Sequence, residues 1–353
     1  MAASIPSIVI GSTGYVGGEF LRLIAAHPNF ELAAAVSRDT NSVTISEVFG
    51  HLAQVYPDVT FQSPDHALAI ARQHESLALF SAAPHGGSAA LIEPFIERAE
   101  TNGTRLHVVD ASADYRFANQ SDFEAVYKCA HPAPQRLAQF SCALPEHAPG
   151  NETPHKGNPG CFATAMLLAS VPLIAGGFAR GDLFACGITG STGSGKAPLP
   201  TTHHPVRHSN LYSYKALNHR HVPEVESLIR AATGHDAKLR FVPHSGPFAR
   251  GIHMTVQAPL ANTASEQQLN DYLREFYANA PFVNLVSTPP RVKDVAGSNF
   301  ALLHATVADS SIAVSCVIDN LIKGAAGGAV QWMNRLFELP ETCGLESAAP
   351  GWI

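Results

Sequence analysis

A cysteine that directly follows a Pro-Gly turn is the residue of this chain best suited to chemistry. The turn and the thiol form the segment Asn158-Pro159-Gly160-Cys161, and helix-forming residues follow from 163 to 169. We therefore expect Cys161 at or near a helix N-terminus, where unpaired backbone N–H groups and the helix dipole favour an anion. Such a position increases the thiolate fraction at neutral pH, and the thiolate is the nucleophilic form. An inert buried cysteine at a helix start would share the pattern, so the rest of the chain must decide.

Two histidines and a carboxylate form the second candidate group, in the segment Asn218-His-Arg-His-Val-Pro-Glu224. A thiol nucleophile needs a proton carrier, and histidine is the side chain that most often serves as one. We expect one of the two histidines, His219 or His221, to fill that role. Glu224, near the start of a predicted helix, is expected to orient the site or to bind substrate.

The same segment raises the alternative of a metal site, with His203, His204 and His208 as further ligands. Helical zinc sites use the spacing H-E-x-x-H, which these histidines do not have, and no cysteine lies near them in sequence. We therefore predict no metal, and a zinc hydrolase is the alternative that elemental analysis would test.

The N-terminal segment has the pattern of a dinucleotide-binding unit. An apolar run at 7–10 leads into Gly11, Gly14 and Gly17, and a helical pattern at 19–26 and an apolar strand at 30–36 follow. The spacing G-x-x-G-x-x-G differs from the commoner G-x-G-x-x-G, but these glycines still let the backbone approach a pyrophosphate at a helix N-terminus. The order of elements predicts the βαβ unit of a Rossmann-type domain.

The end of the second strand indicates which nicotinamide cofactor is bound. A site specific for NAD places an Asp or Glu there to bind the ribose 2′-hydroxyl. Here the strand ends in Ser37 and Arg38, whose hydroxyl and guanidinium groups suit a 2′-phosphate, although Asp39 could partly neutralise the guanidinium. We therefore expect NADP.

Two domains are predicted from the order of the elements. Further strands at 77–81 and 106–109, with a helix at 88–100 between them, predict a parallel α/β domain. After Cys161, strands at 239–242, 251–258, 301–307 and 312–318 predict an α+β domain with a largely antiparallel sheet. The polar segment 189–218 is predicted to be a functional loop, and residues 320–339 a C-terminal helix.

Composition excludes several classes of partner. The 353 residues carry a net charge of -6 with only 23 Lys and Arg, which argues against nucleic acid and anionic membranes. No apolar run is long enough to span a bilayer, and no signal peptide is apparent. The six cysteines lack C-x-x-C spacing and are expected to be reduced in a cytoplasmic protein.

A thiol nucleophile, a histidine and an NADP-binding fold together suggest one type of reaction. The cysteine would attack an activated acyl group to form a thioester, and hydride from NADPH would reduce it to an aldehyde. A cofactor fold with a reactive thiol does not by itself prove turnover, so an NADP-binding, redox-sensing regulator is the alternative from another class.

The ordered motifs resemble those of the N-acetyl-γ-glutamyl-phosphate reductase family, relatives of aspartate-semialdehyde dehydrogenase. The resemblance extends nearly from end to end of the chain. It lies in the segments 11–17, 84–86, 109–116, 144–146, 158–161, 219–224, 250–251, 297–300 and 319–327. It implies NADPH-dependent reduction of N-acetyl-γ-glutamyl phosphate in arginine biosynthesis, by a homotetramer or homodimer. It also implies that residues 1–160 form the NADP-binding domain and that residues 161–319 form a domain for catalysis and dimerisation. Residues 320–353 would form a C-terminal helix that returns to the NADP-binding domain.

The resemblance also assigns roles to individual residues. It implies Cys161 as the nucleophile and His219 as the acid/base, with Asn158, His221 and Glu224 supporting the site. Arg116 and Arg250 would bind the phosphate or carboxylate of the substrate. The implied cofactor contacts are Gly11, Thr13, Gly14, Tyr15, Val16, Gly17, Ser37, Arg38, Pro84, Ser112 and Asn320.

Two departures from the family pattern concern the substrate. Phe162-Ala163 replaces the common Tyr-Pro after the cysteine, and the loop from Gly190 to Arg207 is longer than usual. The loop is more similar to that of the lysine-pathway relative, whose aminoadipyl phosphate is carried on a small acidic amino-group carrier protein. The alternative substrate is therefore the carrier-linked aminoadipyl phosphate.

Overall fold

The chain forms two compact units in a computed structural model that describes residues 4–38, 42–148 and 150–351. The first unit comprises the described residues of Met1–Cys142, Pro149–Asn158 and Ala326–Leu345. The second comprises those of Ala143–Ala148, Pro159–Ala325 and Glu346–Ile353.

The strands and α-helices are numbered along the chain. The strands are β1 Ile5–Ile10, β2 Phe30–Val36, β3 Ser76–Ser81, β4 Arg105–Asp110, β5 Phe140–Cys142, β6 His155–Gly157, β7 Asp182–Thr189, β8 Tyr212–Ser213, β9 Lys238–Ser245, β10 Ile252–Pro259, β11 Val283–Leu285, β12 Ala301–Ala308 and β13 Ser311–Ile318. The helices are α1 Tyr15–Ala25, α2 Ile45–Val48, α3 Pro64–Ala71, α4 Ser88–Asn102, α5 Gln120–Tyr127, α6 Cys161–Ala175, α7 His204–Arg207, α8 His221–Thr233, α9 Glu266–Phe276 and α10 Gly327–Leu336.

The first unit is built on a parallel six-stranded sheet in the order β2-β1-β3-β4-β6-β5. The central strands are buried on both faces, as in β1, where Ile8, Val9 and Ile10 are inaccessible or nearly so. The strand order reverses between β1 and β3, and ligands of such sheets bind at the carboxyl ends of the strands at this point. The predicted Rossmann-type domain is confirmed.

Helix α1 begins earlier than the sequence pattern predicts, at Tyr15 instead of residue 19. Two glycines in the first turns of the helix have low helix propensity, so the sequence pattern does not show where the helix begins. Close packing explains why glycine occupies both positions. A Cβ at Gly17 would lie 2.5 Å from the carbonyl oxygen of Gly11, and one at Gly18 would lie 2.8 Å from the ring of Phe49. The glycines therefore allow the helix to begin directly against the turn and the neighbouring ring.

The second unit is built on a seven-stranded sheet in the order β11-β12-β13-β10-β7-β9-β8. Its pairs are antiparallel except for β11 with β12 and β7 with β9. The predicted largely antiparallel sheet is therefore confirmed. Strand β7, which lies near its middle, was not predicted, because Ala185-Cys186-Gly187 has low strand propensity.

One face of the second sheet is covered and the other is open within this chain. Helix α6, buried along most of its length, packs on β10 and β13 and against α8. Residues alternate between the faces, so that Leu183 is buried while its neighbour Phe184 is 53% exposed. The open face is therefore apolar in part.

The predicted C-terminal helix is divided into a π-helical turn, Ile322–Ala326, and α10. The loop predicted at 189–218 contains α7, β8 and two short 3₁₀ turns, and most of its residues are exposed. No helix in the described part of the chain is both long and apolar enough to cross a membrane.

Candidate active site

Cys161 is the first residue of α6, and Gly160 is the N-cap in an extended conformation (φ -65°, ψ 155°). The predicted position of the thiol at a helix start is therefore what the structure shows. Its side chain is partly buried. The backbone N–H groups of the first helical turn surround this end of the helix and favour negative charge on sulfur.

Glu224 holds the turn in front of Cys161. Its carboxylate, in the first turn of α8 and fully buried, accepts a hydrogen bond of 2.7 Å from the backbone N–H of Gly160. A charge-assisted bond of this kind fixes the N-cap from which Cys161 projects. Of the two roles that the sequence leaves open, this contact favours orientation of the site over direct substrate binding.

His219 lies beside the residue that follows Cys161. The rings of His219 and Phe162 meet edge to face with centroids 5.8 Å apart, and His219 is 92% buried. Burial, together with the nearby charges of Arg220 and Lys215, lowers the pKa of His219 to about 4. The ring is therefore neutral at physiological pH.

A backbone contact fixes the tautomer of this neutral ring. Nδ1 of His219 accepts a hydrogen bond of 3.2 Å from the backbone N–H of His221. A neutral imidazole that accepts at Nδ1 carries its proton at Nε2. His221, the first residue of α8 and itself buried, thus supports His219 through its main chain.

Tyr214 is a further neighbour of His219, although no sequence signal singles it out from its polar loop. Its ring centroid is 6.0 Å from that of His219. Burial raises its pKa well above the usual range, and the negative charge of the Cys161 thiolate raises it further. Tyr214 therefore lies beside His219 and within reach of the charge of Cys161.

The π-helical turn supplies a further neighbour of the thiol. A Cβ placed at Gly324 would lie 2.7 Å from the Cβ of Cys161 and 3.0 Å from its Cα. Single π-helical turns are frequent at functional sites, and here the turn brings a backbone without a side chain against Cys161. The motif at 319–327 carries this residue, but its sequence alone does not show that it touches Cys161.

Arg250 and Asp319 form a partly buried ion pair. Nε and Nη2 of Arg250 donate to the Asp319 carboxylate at 3.0 and 3.3 Å. The same carboxylate accepts backbone N–H bonds from Gly297 and Leu321. Anion binding by Arg250 would have to compete with this partner.

Asn320, predicted to lie near the nicotinamide, bridges two segments of the second unit. Its Oδ1 accepts from the backbone N–H of Gly251 at 2.7 Å, and its Nδ2 donates to Oγ1 of Thr192 at 3.1 Å. The residue is buried. A contact with cofactor stays a prediction for this side chain.

The glycine-rich turn of the first unit fits a dinucleotide. Gly11 has φ +70°, and a Cβ there would lie 2.7 Å from the backbone of Ala82, so only glycine suits the position. A Cβ at Gly14, the N-cap of α1, would meet nothing closer than 3.7 Å, and Gly14 itself has no side chain to cap the helix. The turn thus leaves the N-terminus of α1 accessible for a pyrophosphate.

The remaining predicted cofactor contacts lie along the same edge of the first sheet. Ser37 is buried and Arg38 exposed directly after β2, while Asp39 lies outside the described residues. Thr13 and Val16 are partly exposed, and Tyr15 and Pro84 are exposed. These positions follow the carboxyl ends of β1, β2 and β3, where a dinucleotide would lie.

Ser112 belongs to a buried network at the end of β4. Its hydroxyl donates to Asp110 at 2.5 Å, and burial, with the neighbouring charge of Asp114, raises the pKa of Asp110 to about 6. Arg116 is also buried and donates to the backbone oxygens of Asn158 and Ala111. The guanidinium of Arg116 is therefore part of the interior of this unit and not an ordinary surface arginine.

Three histidines were considered as further ligands of a metal site. They are His203, His204 and His208, and all three are exposed. Within the described ranges, no group of three or more His, Cys, Asp or Glu side chains is arranged to hold a metal ion.

Comparisons with known proteins agree along the whole chain. Residues 8–149 match a family model described as the semialdehyde dehydrogenase NAD binding domain, and residues 161–320 match the semialdehyde dehydrogenase dimerisation domain. The N-acetyl-gamma-glutamyl-phosphate reductase of Ectopseudomonas mendocina is 36% identical over 348 residues, 97% of this chain and 98% of that protein. The protein of that name from Methanosarcina barkeri is 36% identical over 343 residues, 96% of each chain.

Solved structures show the same fold at lower identity. Aspartate semialdehyde dehydrogenase II of Vibrio cholerae, complexed with ASA, has a TM-score of 0.69 at 17% identity, covering 96% of this chain and 99% of that one. Aspartate semialdehyde dehydrogenase of Candida albicans with NADP has a TM-score of 0.65 at 15% identity, covering 95% and 99%.

Proposed function

We propose, since this chain belongs to the semialdehyde dehydrogenase family, that it reduces N-acetyl-γ-glutamyl phosphate to N-acetylglutamate semialdehyde with NADPH and releases phosphate, a step of arginine biosynthesis. The observation that carries the proposal is the match to N-acetyl-gamma-glutamyl-phosphate reductases along almost the whole length of both chains. The placement of Cys161 at the start of α6, next to Phe162 whose ring contacts His219, supports the same chemistry.

Cys161 begins the proposed reaction. Its thiolate sulfur forms a bond to the acyl carbon, the bond from that carbon to the phosphate oxygen breaks, and phosphate leaves with the electron pair. Cys161 then holds the acyl group as a thioester. NADPH, when bound, supplies the hydride that brings this group to the aldehyde level.

His219 assists at the carbonyl oxygen. Its Nε2–H is the free donor of the neutral ring, because Nδ1 is occupied by the His221 backbone. The donor stabilises the negative charge that develops on the oxygen. When the carbon–sulfur bond breaks, the aldehyde leaves and Cys161 returns as the thiolate.

The cofactor would be held by the first unit. The turn 11–17 would hold the pyrophosphate, with Thr13, Tyr15 and Val16 beside it, and Ser37 and Arg38 would bind the 2′-phosphate of NADP. Pro84, Ser112 and Asn320 are proposed to line the rest of the cofactor. Asn158 and Arg116 are proposed to lie at the substrate side, as is Arg250 if its ion pair with Asp319 opens.

The reverse reaction tests the function. With N-acetylglutamate semialdehyde, phosphate and NADP, the purified protein should reduce NADP, and the rate should require phosphate. Cys161→Ser and His219→Ala should lose turnover by about 10³-fold and 10²-fold or more, because they remove the nucleophile and the proton donor. Both variants should still bind NADPH. The absence of phosphate-dependent reduction by the wild type would contradict the proposal.

The long loop at 190–207 favours one second candidate, reduction of the carrier-linked aminoadipyl phosphate. Turnover that appears only with the acidic carrier protein would support that substrate. NADPH binding and Cys161 oxidation without turnover on either substrate would instead identify a redox-sensing regulator.

The assembly is proposed to be a homodimer, or a homotetramer built from it, in the cytoplasm. The open face of the second sheet carries the exposed Phe184, and the family model that matches residues 161–320 is described as a dimerisation domain. We therefore propose that residues 161–319 carry catalysis and dimerisation and that residues 1–160 bind NADP. Residues 320–353 are proposed to return to the NADP-binding domain.

A further inference from the structure

Arg207, at the end of the short helix α7, has a buried guanidinium with no hydrogen-bond partner among the described residues. The residue is 8% exposed, and Nε, Nη1 and Nη2 are all buried without a partner in the described part of the chain. The guanidinium carbon lies 5.9 Å from the centroid of the Tyr212 ring. A guanidinium has five N–H donors, so leaving them all unsatisfied inside a protein is strongly unfavourable.

The surrounding segment contains no acidic residue that could neutralise Arg207. Between Asp182 and Glu224 the sequence has no Asp or Glu, whereas it has four cationic side chains, Lys196, Arg207, Lys215 and Arg220. In a segment whose charged side chains are all positive, a buried cation is stable only when an anion from outside the segment pairs with it. The fork of an arginine matches the two oxygens of a carboxylate or a phosphate.

The backbone places this cation on the same strand face as the neighbour of His219. Tyr212 pairs with Ser245 in the sheet, and the backbone N–H of Tyr214 continues that pairing to Pro243. Alternate residues of an extended strand share a face, and both tyrosines are half-buried while Ser213 is exposed. Arg207 contacts Tyr212, and Tyr214 contacts His219, so the guanidinium lies on the strand face that leads to His219.

We propose that Arg207 binds the carboxylate of the substrate and so selects an acyl phosphate with a distal carboxylate; this rests on the proposed function. The phosphate of the substrate is bonded to the carbon that Cys161 attacks, so it must lie beside the thiol. The carboxylate of a glutamyl group is four bonds further away. Tyr212 and Tyr214 are two residues apart on an extended strand, roughly 7 Å, which suits the distal group and not the phosphate.

The reverse reaction separates the two anions, because semialdehyde and phosphate are added independently. In Arg207→Gln the KM for N-acetylglutamate semialdehyde should rise about 10- to 100-fold, as expected for loss of a charge-assisted pair, while the KM for phosphate stays within about twofold. Arg207→Lys should recover part of the loss, because it keeps the charge without the fork. Arg230→Gln, which changes an exposed arginine of α8, is the matched control and should alter neither constant.

A change of substrate gives a second measurement that does not depend on the variant folding well. The wild type should use the semialdehyde at least about 10-fold better than its α-carboxamide, and Arg207→Gln should lose most of this preference. A rise in the phosphate KM alone, or a wild type indifferent to the carboxamide, would overturn the assignment to the carboxylate.

A failure of the proposed function is distinguishable from a failure of this inference. If the wild type shows no turnover, protection of Cys161 from alkylation by N-acetyl-L-glutamate can be compared with protection by its α-carboxamide. Protection by the carboxylate that is weakened at least about 10-fold in Arg207→Gln would keep the site. Equal protection in both proteins would refute it.

Discussion

Cys161, the proposed nucleophile, has neighbours that come from distant parts of the sequence. Gly160 and the helix start are local to Cys161, but Glu224 reaches the turn from α8 and Gly324 touches the thiol from the π-helical turn. Both contacts restrict the position of Cys161, because the first fixes the backbone in front of it and the second fills the space beside it. Correct placement of the reacting atom is worth orders of magnitude in rate, so these two contacts are expected to matter for turnover.

Gly324→Ala tests the second contact. The added methyl would lie 2.7 Å from the Cβ of Cys161, so the thiol or the turn must shift. We expect kcat to fall about 10- to 100-fold with NADPH binding unchanged, and the alkylation rate of Cys161 to change with it. Gly50→Ala is the matched control, because a Cβ there would meet nothing within 4 Å. Wild-type kcat in Gly324→Ala would show that the contact does not position the thiol.

Residue types in the sequence were sufficient to predict the position of Cys161 at a helix start, but not its surroundings. Cys161 at a helix start follows from a local pattern of turn and helix formers. Tyr214 and Gly324 carry no such pattern, because their roles arise from packing between segments far apart in the chain. The side chains of Arg116 and Arg250 were predicted as anion binders, and their hydrogen bonds within the fold become visible only in three dimensions.

At the scale of elements, the π-helical turn is held by a buried ion pair. Lys323 in the turn pairs with Glu146 of the same unit, and the two side chains are 1% and 0% exposed. Its Nζ also lies 5.6 Å from the centroid of the Phe282 ring. A charge taken this far from water needs its partner, so the turn that carries Gly324 depends on Glu146.

Removal of either charge should destabilise the second unit strongly. Lys323→Met leaves Glu146 unpaired, and we expect a loss of about 3–5 kcal/mol in the free energy of unfolding by denaturant. The double variant Lys323→Met with Glu146→Leu should recover most of that loss, since no buried charge remains. The exposed pair of Arg230 with Asp236 is the control, and Arg230→Met should change the stability by less than about 1 kcal/mol. Additive losses in the double variant would contradict the pairing.

Elements with a strong hydrophobic period were predicted well, and those with small residues were not. Strand β2 was predicted at its observed limits because FELAAAV is apolar and ends in a polar turn. The start of α1 and the whole of β7 were not predicted, because glycine and other small residues weaken the hydrophobic pattern in both elements. In each case the small residue is explained by a close neighbour, as at Gly187, where a Cβ would lie 2.6 Å from the ring of Phe162.

Across the whole molecule, buried histidines are spread over both units. Burial lowers the pKa of His155 to about 3 in the first unit, and those of His147 and His219 to about 4 in the second. An unfolded chain binds protons at these positions below about pH 6.5, whereas the folded chain does not, so stability falls as the pH drops through that window. Asp110, with its pKa raised to about 6, acts in the opposite sense, because its contribution is present in acid and lost as the pH rises.

The substitution His147→Gln isolates one member of this set. The ring of His147 is neutral in the folded state between pH 7 and pH 5. Its Nε2 lies 3.0 Å from the hydroxyl of Tyr277, a contact that glutamine can keep. The loss of unfolding free energy between pH 7 and pH 5, measured with urea, should be about 2 kcal/mol smaller in the variant, because a histidine that cannot be protonated in the fold favours unfolding in acid. His235→Gln, at an exposed position of the same unit, should leave the pH dependence as it is in the wild type. An unchanged pH dependence in His147→Gln would mean that other groups set the acid stability of the second unit.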